Sequence, residues 1–95
     1  MSRPPKQRKI LFDPNVTYFK PRAVPLFELE EVDLAVDELE AVRLSDLKEF
    51  NQSEAAKKMN ISQSTFQRIL SSSHKKIAQA LIEGKAIKIK KTSKP

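Results

Sequence analysis

Apolar and polar positions along the chain change their period several times, and each change marks an element. From Ile10 to Phe27 (ILFDPNVTYFKPRAVPLF) apolar residues are frequent, but Pro14, Pro21 and Pro25 interrupt them. Proline locks φ and removes a backbone donor, so this stretch predicts extended chain laid across a surface rather than a helix. Val32, Leu34 and Val36 then alternate with Asp33 and Ala35, the two-residue period of a short strand. At Asp37 the period becomes helical. Asp37 can cap a helix with Glu40 reciprocating three residues on, and the helix runs over about 38–49, burying Leu39, Val42, Leu47 and Phe50. Asn51 and Gln52 break it. Asn51 or Ser53 caps a second, short helix through Met59, with Ala55, Ala56 and Met59 turned inward. Asn60 is the turn residue, because after glycine asparagine best tolerates the left-handed conformation. Ser62 caps a third helix that continues to about Glu83, where Gly84, the single glycine of the chain, suits a helix end. Beyond it AIKIK (residues 86–90) alternates again, Ile87 and Ile89 against Lys88 and Lys90.

On a wheel of about 100° per residue, Phe66, Ile69, Leu70, Ser73, Ile77, Ala80 and Leu81 of the third helix share one face. Ser64, Arg68, Ser71 and Lys75 form the opposite stripe, flanked by Gln67, with Gln63 at the N-terminal edge. No acid occurs from Ser62 through Ile82. An ordinary exposed helix mixes Glu with Lys, since such pairs stabilise it. Here the outward groups are amides, hydroxyls, an ammonium and a guanidinium, the set that reads base edges and phosphates. A short helix, a tight turn and such a reading helix predict a helix-turn-helix. A plain helical hairpin shares the apolar spacing but gives no reason for an acid-free outer face. The expected fold is therefore mainly α: a three-helix helix-turn-helix body with an extended Pro-rich N-terminal arm and a short two-stranded β ribbon formed by residues 32–36 and 86–90. Such a ribbon is marginal alone and needs a helix beneath it or a second copy beside it, so a homodimer enters the expectation. The chain divides into a flexible basic arm (1–9), one domain (10–90) and a disordered tail (91–95).

Composition narrows the chemistry. The 95 residues carry no Cys and one His, which argues against disulfides, thiol chemistry, a metal centre and a His-based catalytic pair; no cofactor and no enzymatic activity are expected. No apolar run approaches the roughly 20 residues that cross a bilayer, and MSRPPKQRK lacks the apolar stretch of a secretory signal, so the expectation is a cytoplasmic protein without membrane contact. Net charge is +6, unevenly spread: residues 1–22 hold six Lys/Arg against one acid, 23–54 hold two against ten, and 55–95 hold ten against one. Two basic blocks around an acidic one suit a polyanion partner, with the acids held away from it. The acids Glu28, Glu30, Glu31, Asp33, Asp37, Glu38 and Glu40 form no calcium-loop pattern and are read as a solvated face. His74 is read as a surface or phosphate-proximal residue, and Tyr18 and Phe19 as cover for the core rather than base-stacking platforms.

DELEAVRLSDLKEFNQSEAAKKMNISQSTFQRILSSSHKKIAQAL resembles the region-four helix-turn-helix of bacterial primary-type sigma factors, which reads promoter DNA. With TYFKPRAVPLFELEEVDLAVDELEAVRL upstream and GKAIKI downstream, about residues 3–90 are similar to an uncharacterised family of small prokaryotic proteins with a sigma-region-four-like domain. The resemblance implies sequence-specific binding of double-stranded DNA and transcription regulation, with a reading helix from Ser62 to Leu70 and beyond. Gln63, Ser64, Gln67 and Arg68 would then face DNA. It also implies a rival role, a protein-interaction module contacting RNA polymerase or a sigma or anti-sigma partner through the acidic 28–40 segment. Relatives often have Arg at Gln63, Gly at Asn60, Cys at Gln7 and Gly-Leu at Glu49-Phe50, so phosphate contact and the first inter-helix loop differ here.

Overall fold

In the computed structural model, which describes residues 8–91, three short strands and three helices follow one another as β1 (Tyr18–Phe19), β2 (Glu31–Ala35), α1 (Val36–Val42), α2 (Gln52–Met59), α3 (Gln63–Glu83) and β3 (Ala86–Lys90). The two alternating segments do pair, within one chain and in parallel: Val32 lies opposite Ile87 and Leu34 opposite Ile89. Parallel strands need a long crossover, and the whole helical body supplies it. The expected two-stranded ribbon gains a third member. β1 adds antiparallel to β3, with Tyr18 opposite Lys88, so the sheet order is β1-β3-β2 and β3 is central. Val32, Leu34 and Ile89 are buried, while Glu31, Asp33, Lys88 and Lys90 are exposed. Asp33 lies opposite Lys88, and its carboxylate is 3.7 Å from Lys90 Nζ, the cross-strand charge pairing the alternation implies. Because α3 packs against β2 and β3, the sheet is completed without a second copy.

The helices begin and end where single residues dictate. α1 starts at Val36 rather than 38, and its N-terminus is satisfied by Glu38, whose Oε1 accepts the Ala35 N–H at 2.9 Å; the expected Asp37–Glu40 cap does not form. After Val42 the backbone widens into a π-helical turn over Arg43–Leu47, where Lys48 N–H donates to Arg43 O at 2.9 Å. The wider turn changes which side chains face the core, so Leu44 is 1% exposed and Leu47, expected inside, is 72% exposed. Asn51 caps α2 through a reciprocal pair, Glu54 N–H to Asn51 Oδ1 at 2.8 Å and Asn51 N–H to Glu54 Oε1 at 3.4 Å. Asn60 adopts the left-handed conformation (φ 61°, ψ 42°), Ser62 Oγ accepts the Thr65 N–H at 3.1 Å to open α3, and Gly84 (φ 68°) closes it. Ala41, Leu44, Ala55, Ala56, Met59, Phe66 and Leu70 form the helical core, with Val42, Phe50, Ile61 and Ile69 packed against it. Leu81, expected on the inner face, is 74% exposed. The helical core ends at Leu70, and of the last turns of α3 only Ala80 is buried, so nothing among the described residues covers Leu81.

The segment before β1 is bonded to the helices. Lys9 N–H donates to Met59 O at 2.9 Å, Leu11 N–H to Glu40 Oε2 at 3.1 Å, and Arg8 pairs with Asp37 at 3.0 Å. The Arg43 guanidinium lies 5.6 Å from the centre of the Phe12 ring. Arg8 and Lys9, grouped with the flexible arm from sequence, are held in these contacts; Lys91, grouped with the tail, pairs with Asp13 at 3.0 Å. The remainder of the expected arm (1–7) and tail (92–95) lies outside the described residues. No helix among those described is long and apolar enough to cross a membrane.

Candidate nucleic-acid interface

Gln63, Ser64, Gln67, Arg68, Ser71 and Lys75 are all exposed. They reach the surface because Phe66, Leu70 and Ser73 turn the opposite side of α3 into the protein, at 0%, 8% and 0% exposure. Ser64, Gln67, Arg68 and Ser71 together line one shallow, open depression of about 450 Å³. Gln63 precedes it in the first turn and Lys75 stands one turn beyond Ser71. Among the described residues neither Arg68 nor Lys75 takes part in an ion pair, so their positive charges face outward uncompensated. Ser62 is engaged at the helix start, its hydroxyl donating to Thr65 Oγ1 at 2.9 Å and lying 3.3 Å from Ser64 Oγ.

Two carboxylates anchor this face from behind, and the reading of the acids as one solvated surface is corrected by them. Glu38 is 7% and Glu40 1% exposed. Glu38 accepts from Ser72 Oγ at 2.6 Å and Lys76 Nζ at 2.8 Å, while its backbone carbonyl accepts from Ser73 Oγ at 3.0 Å. Burial alone would raise the Glu38 carboxyl; the Lys76 ammonium, the Ser72 hydroxyl and the Ala35 amide outweigh it and hold the group below its ordinary value. α1 is thereby tied to three flank and inner positions of α3. Glu40 binds Arg43 through both oxygens, at 2.8 Å to Nε and 3.0 Å to Nη2, and uses Oε2 also for the Leu11 N–H. The bidentate carboxylate holds the Arg43 guanidinium above its ordinary value. Neither acid is marked in the sequence, because the partners Leu11, Ser72 and Lys76 lie 29, 34 and 38 residues away along the chain.

His74 is exposed on the flank of α3, with Nε2 2.7 Å from Asp46 Oδ2, so one carboxylate does approach the edge of the outward stripe. Tyr18 and Phe19 divide their roles. Tyr18 is half-buried and donates its hydroxyl to Glu31 Oε2 at 2.7 Å, which raises its pKa, whereas Phe19 is 53% exposed and covers little.

The chain matches the family described as "Protein of unknown function DUF134" over residues 1–93. It is 54% identical over 89 residues to a UPF0251 protein of Desulforudis audaxviator, covering 94% of this chain and 58% of that protein. A UPF0251 protein of Moorella thermoacetica is 56% identical over 89 residues, covering 94% and 60%, and one of Caldanaerobacter subterraneus is 55% identical over 89 residues, covering 94% and 75%. The first two relatives are thus longer than the matched region, and the chain spans about three-fifths of their length. No solved structure matches the chain. A match that covers residues 1–93, with relatives more than half identical over 89 residues, makes the chain a member of the DUF134 family, whose relatives carry the name UPF0251.

Proposed function

We propose that this protein binds double-stranded DNA sequence-specifically, using α2, the Asn60 turn and α3 as a helix-turn-helix, and acts as a cytoplasmic regulator of transcription. One observation carries the reading: the outward stripe of α3 holds an amide, a guanidinium and hydroxyls around a single depression, with no acid on the helix from Ser62 through Ile82 and no ion pair on Arg68 or Lys75 among the described residues. Arginine can bridge guanine O6 and N7, and glutamine can bridge adenine N6 and N7. Ser64, Ser71 and Lys75 suit phosphate or base contact beside them, and Gln63 suits the groove edge. No catalytic role is assigned to any residue.

The rival reading, a module that touches RNA polymerase or a sigma or anti-sigma partner, draws on the acidic 28–40 segment. Glu38 and Glu40 are consumed inside the fold and Asp37 is paired with Arg8, which leaves fewer acids for such a contact. The two readings separate by experiment. Duplexes are selected from a random pool, and affinity for the selected site is compared with that for a scrambled one as salt is raised; log K should fall steeply with log[salt]. Arg68→Ala and Gln67→Ala should each weaken the selected site about 1–3 kcal/mol more than the scrambled one. Equal losses on both would reduce these residues to phosphate contacts. Indifference of the parent to duplex DNA at low salt would leave the interaction module as the function.

A further inference from the structure

Glu38 holds α3 from a side that the outward stripe does not share. On the wheel of about 100° per residue, Ser64, Arg68, Ser71 and Lys75 occupy one arc, and Phe66, Leu70 and Ser73 face away from them. Phe66 and Leu70 lie one turn apart along nearly one line of the helix, and a rod held along one line can still rock about it. Beyond Leu70 the buried side chains of α3 are small, Ser73 and Ala80, so shape does little to stop that motion. Glu38 stops it with directed bonds. Its carboxylate accepts from Ser72 Oγ at 2.6 Å and from Lys76 Nζ at 2.8 Å, and its carbonyl accepts from Ser73 Oγ at 3.0 Å. These three positions spread over about 100° of the helix circumference, to one side of the Phe66–Leu70 line. The same carboxylate accepts the Ala35 N–H at 2.9 Å, which fixes Glu38 to the end of β2. Ser72 and Lys76 are the immediate neighbours of Ser71 and Lys75 in the stripe.

We propose that Glu38 is a positioning residue for the outward stripe: from inside the fold it sets the roll of α3, and so the sequence discrimination of a face it does not touch. The inference rests on the DNA-binding reading. A roll of about 20° carries a group about 6 Å from the helix axis sideways by about 2 Å, enough to break the short, directional bonds that tell bases apart. Groups that recognise a ligand need support that holds them within about 0.5 Å. Stability alone does not account for the network. Glu38 is 7% exposed, and replacing both members of a buried charged pair by apolar residues is often neutral or stabilising. What an apolar contact lacks is direction, and the three bonds to α3 supply it.

Two variants of the full chain test this: Glu38→Gln, and Ser72→Ala combined with Lys76→Met, which releases α3 and leaves the Ala35 bond in place. Affinities for the selected and the scrambled duplex are measured well below the melting temperature. A partly unfolded population, or the charge lost at Lys76, weakens both duplexes alike, so their ratio reports orientation. That ratio should fall at least about fivefold in both variants, the cost of one lost base contact. Without DNA, the amide NMR signals of Ser64 and Gln67, more than one turn from either substitution on α3, should shift or broaden in both variants. A ratio kept in either variant, or signals left in place, overturns the proposal. A parent that ignores duplex DNA, with variants whose signals do move, would remove the DNA-binding reading and keep Glu38 as the residue that orients α3.

Discussion

Along the first part of α3, from Gln63 to Lys76, the inward side chains meet other helices: Phe66 and Ser73 are fully buried, and Glu38 grips Ser72 and Lys76. Along the remainder, Ile77 to Glu83, the period is unchanged, yet only Ala80 is buried and Leu81 stands in solvent. One continuous helix thus has a packed first two-thirds and a sparsely packed last third. Burial depends on what stands opposite a residue, and hydrophobic period alone does not supply it. The packed part carries a polar outward face, and the sparsely packed part an apolar one.

The comparison is broken most severely at the sheet. Deleting residues 85–95 removes β3, the strand that both β1 and β2 pair with, and uncovers Val32 and Leu34. We expect the cooperative melt to be lost; a truncated chain that melts like the parent would show the packed part of α3 and the helices against it to be self-sufficient. Phe66→Ala comes next, at about 3–5 kcal/mol by urea denaturation, because the ring is 0% exposed in a small core. Glu38→Gln should cost about 1–3 kcal/mol at neutral pH, leaving the Lys76 ammonium without its partner charge. Its pH dependence has a definite sign. The folded carboxyl sits below its ordinary 4.5, so the stabilisation is complete above that pH and is lost as pH falls through the folded value. Denaturation midpoints measured from pH 7 to 3 should therefore fall less steeply in Glu38→Gln than in the parent. The smallest effect is expected two residues after Phe66: Arg68→Ala should stay within about 0.5 kcal/mol of the parent, since its side chain faces solvent.

Features decided by one residue's stereochemistry were legible in the chain. Asn51, Asn60, Ser62 and Gly84 occupy the capping and turn positions their side chains suit, and the alternations around Leu34 and Ile89 do become paired strands. The outward positions from Gln63 to Lys75 were equally legible, because an amphipathic period with Phe66 inside fixes the other side. What escaped depends on neighbours distant in sequence. A two-residue strand such as Tyr18–Phe19 has no period to detect. The π-helical turn shifts Leu47 outward by a backbone choice that no side chain announces. Glu38 and Glu40 look like surface acids until Lys76, Ser72 and Arg43 are brought to them.

The central place of β3 has a kinetic consequence. It is the last of the three strands in chain order, so β1 and β2 wait without partners while the residues between them and β3 are made and folded. Closing the segment of about 50 residues between β2 and β3 costs about 3.5 kcal/mol in chain entropy, a cost that prior assembly of the helices reduces by holding the two ends of that segment within one strand length of each other, so that Glu31 can meet Ala86 and Ala35 can meet Lys90. Helix formation is local and fast, and long-range parallel pairing is slow. The folding reaction should therefore reach the helical body first and engage the clasp last, and substitutions in β3 should mainly speed its release rather than slow the initial collapse.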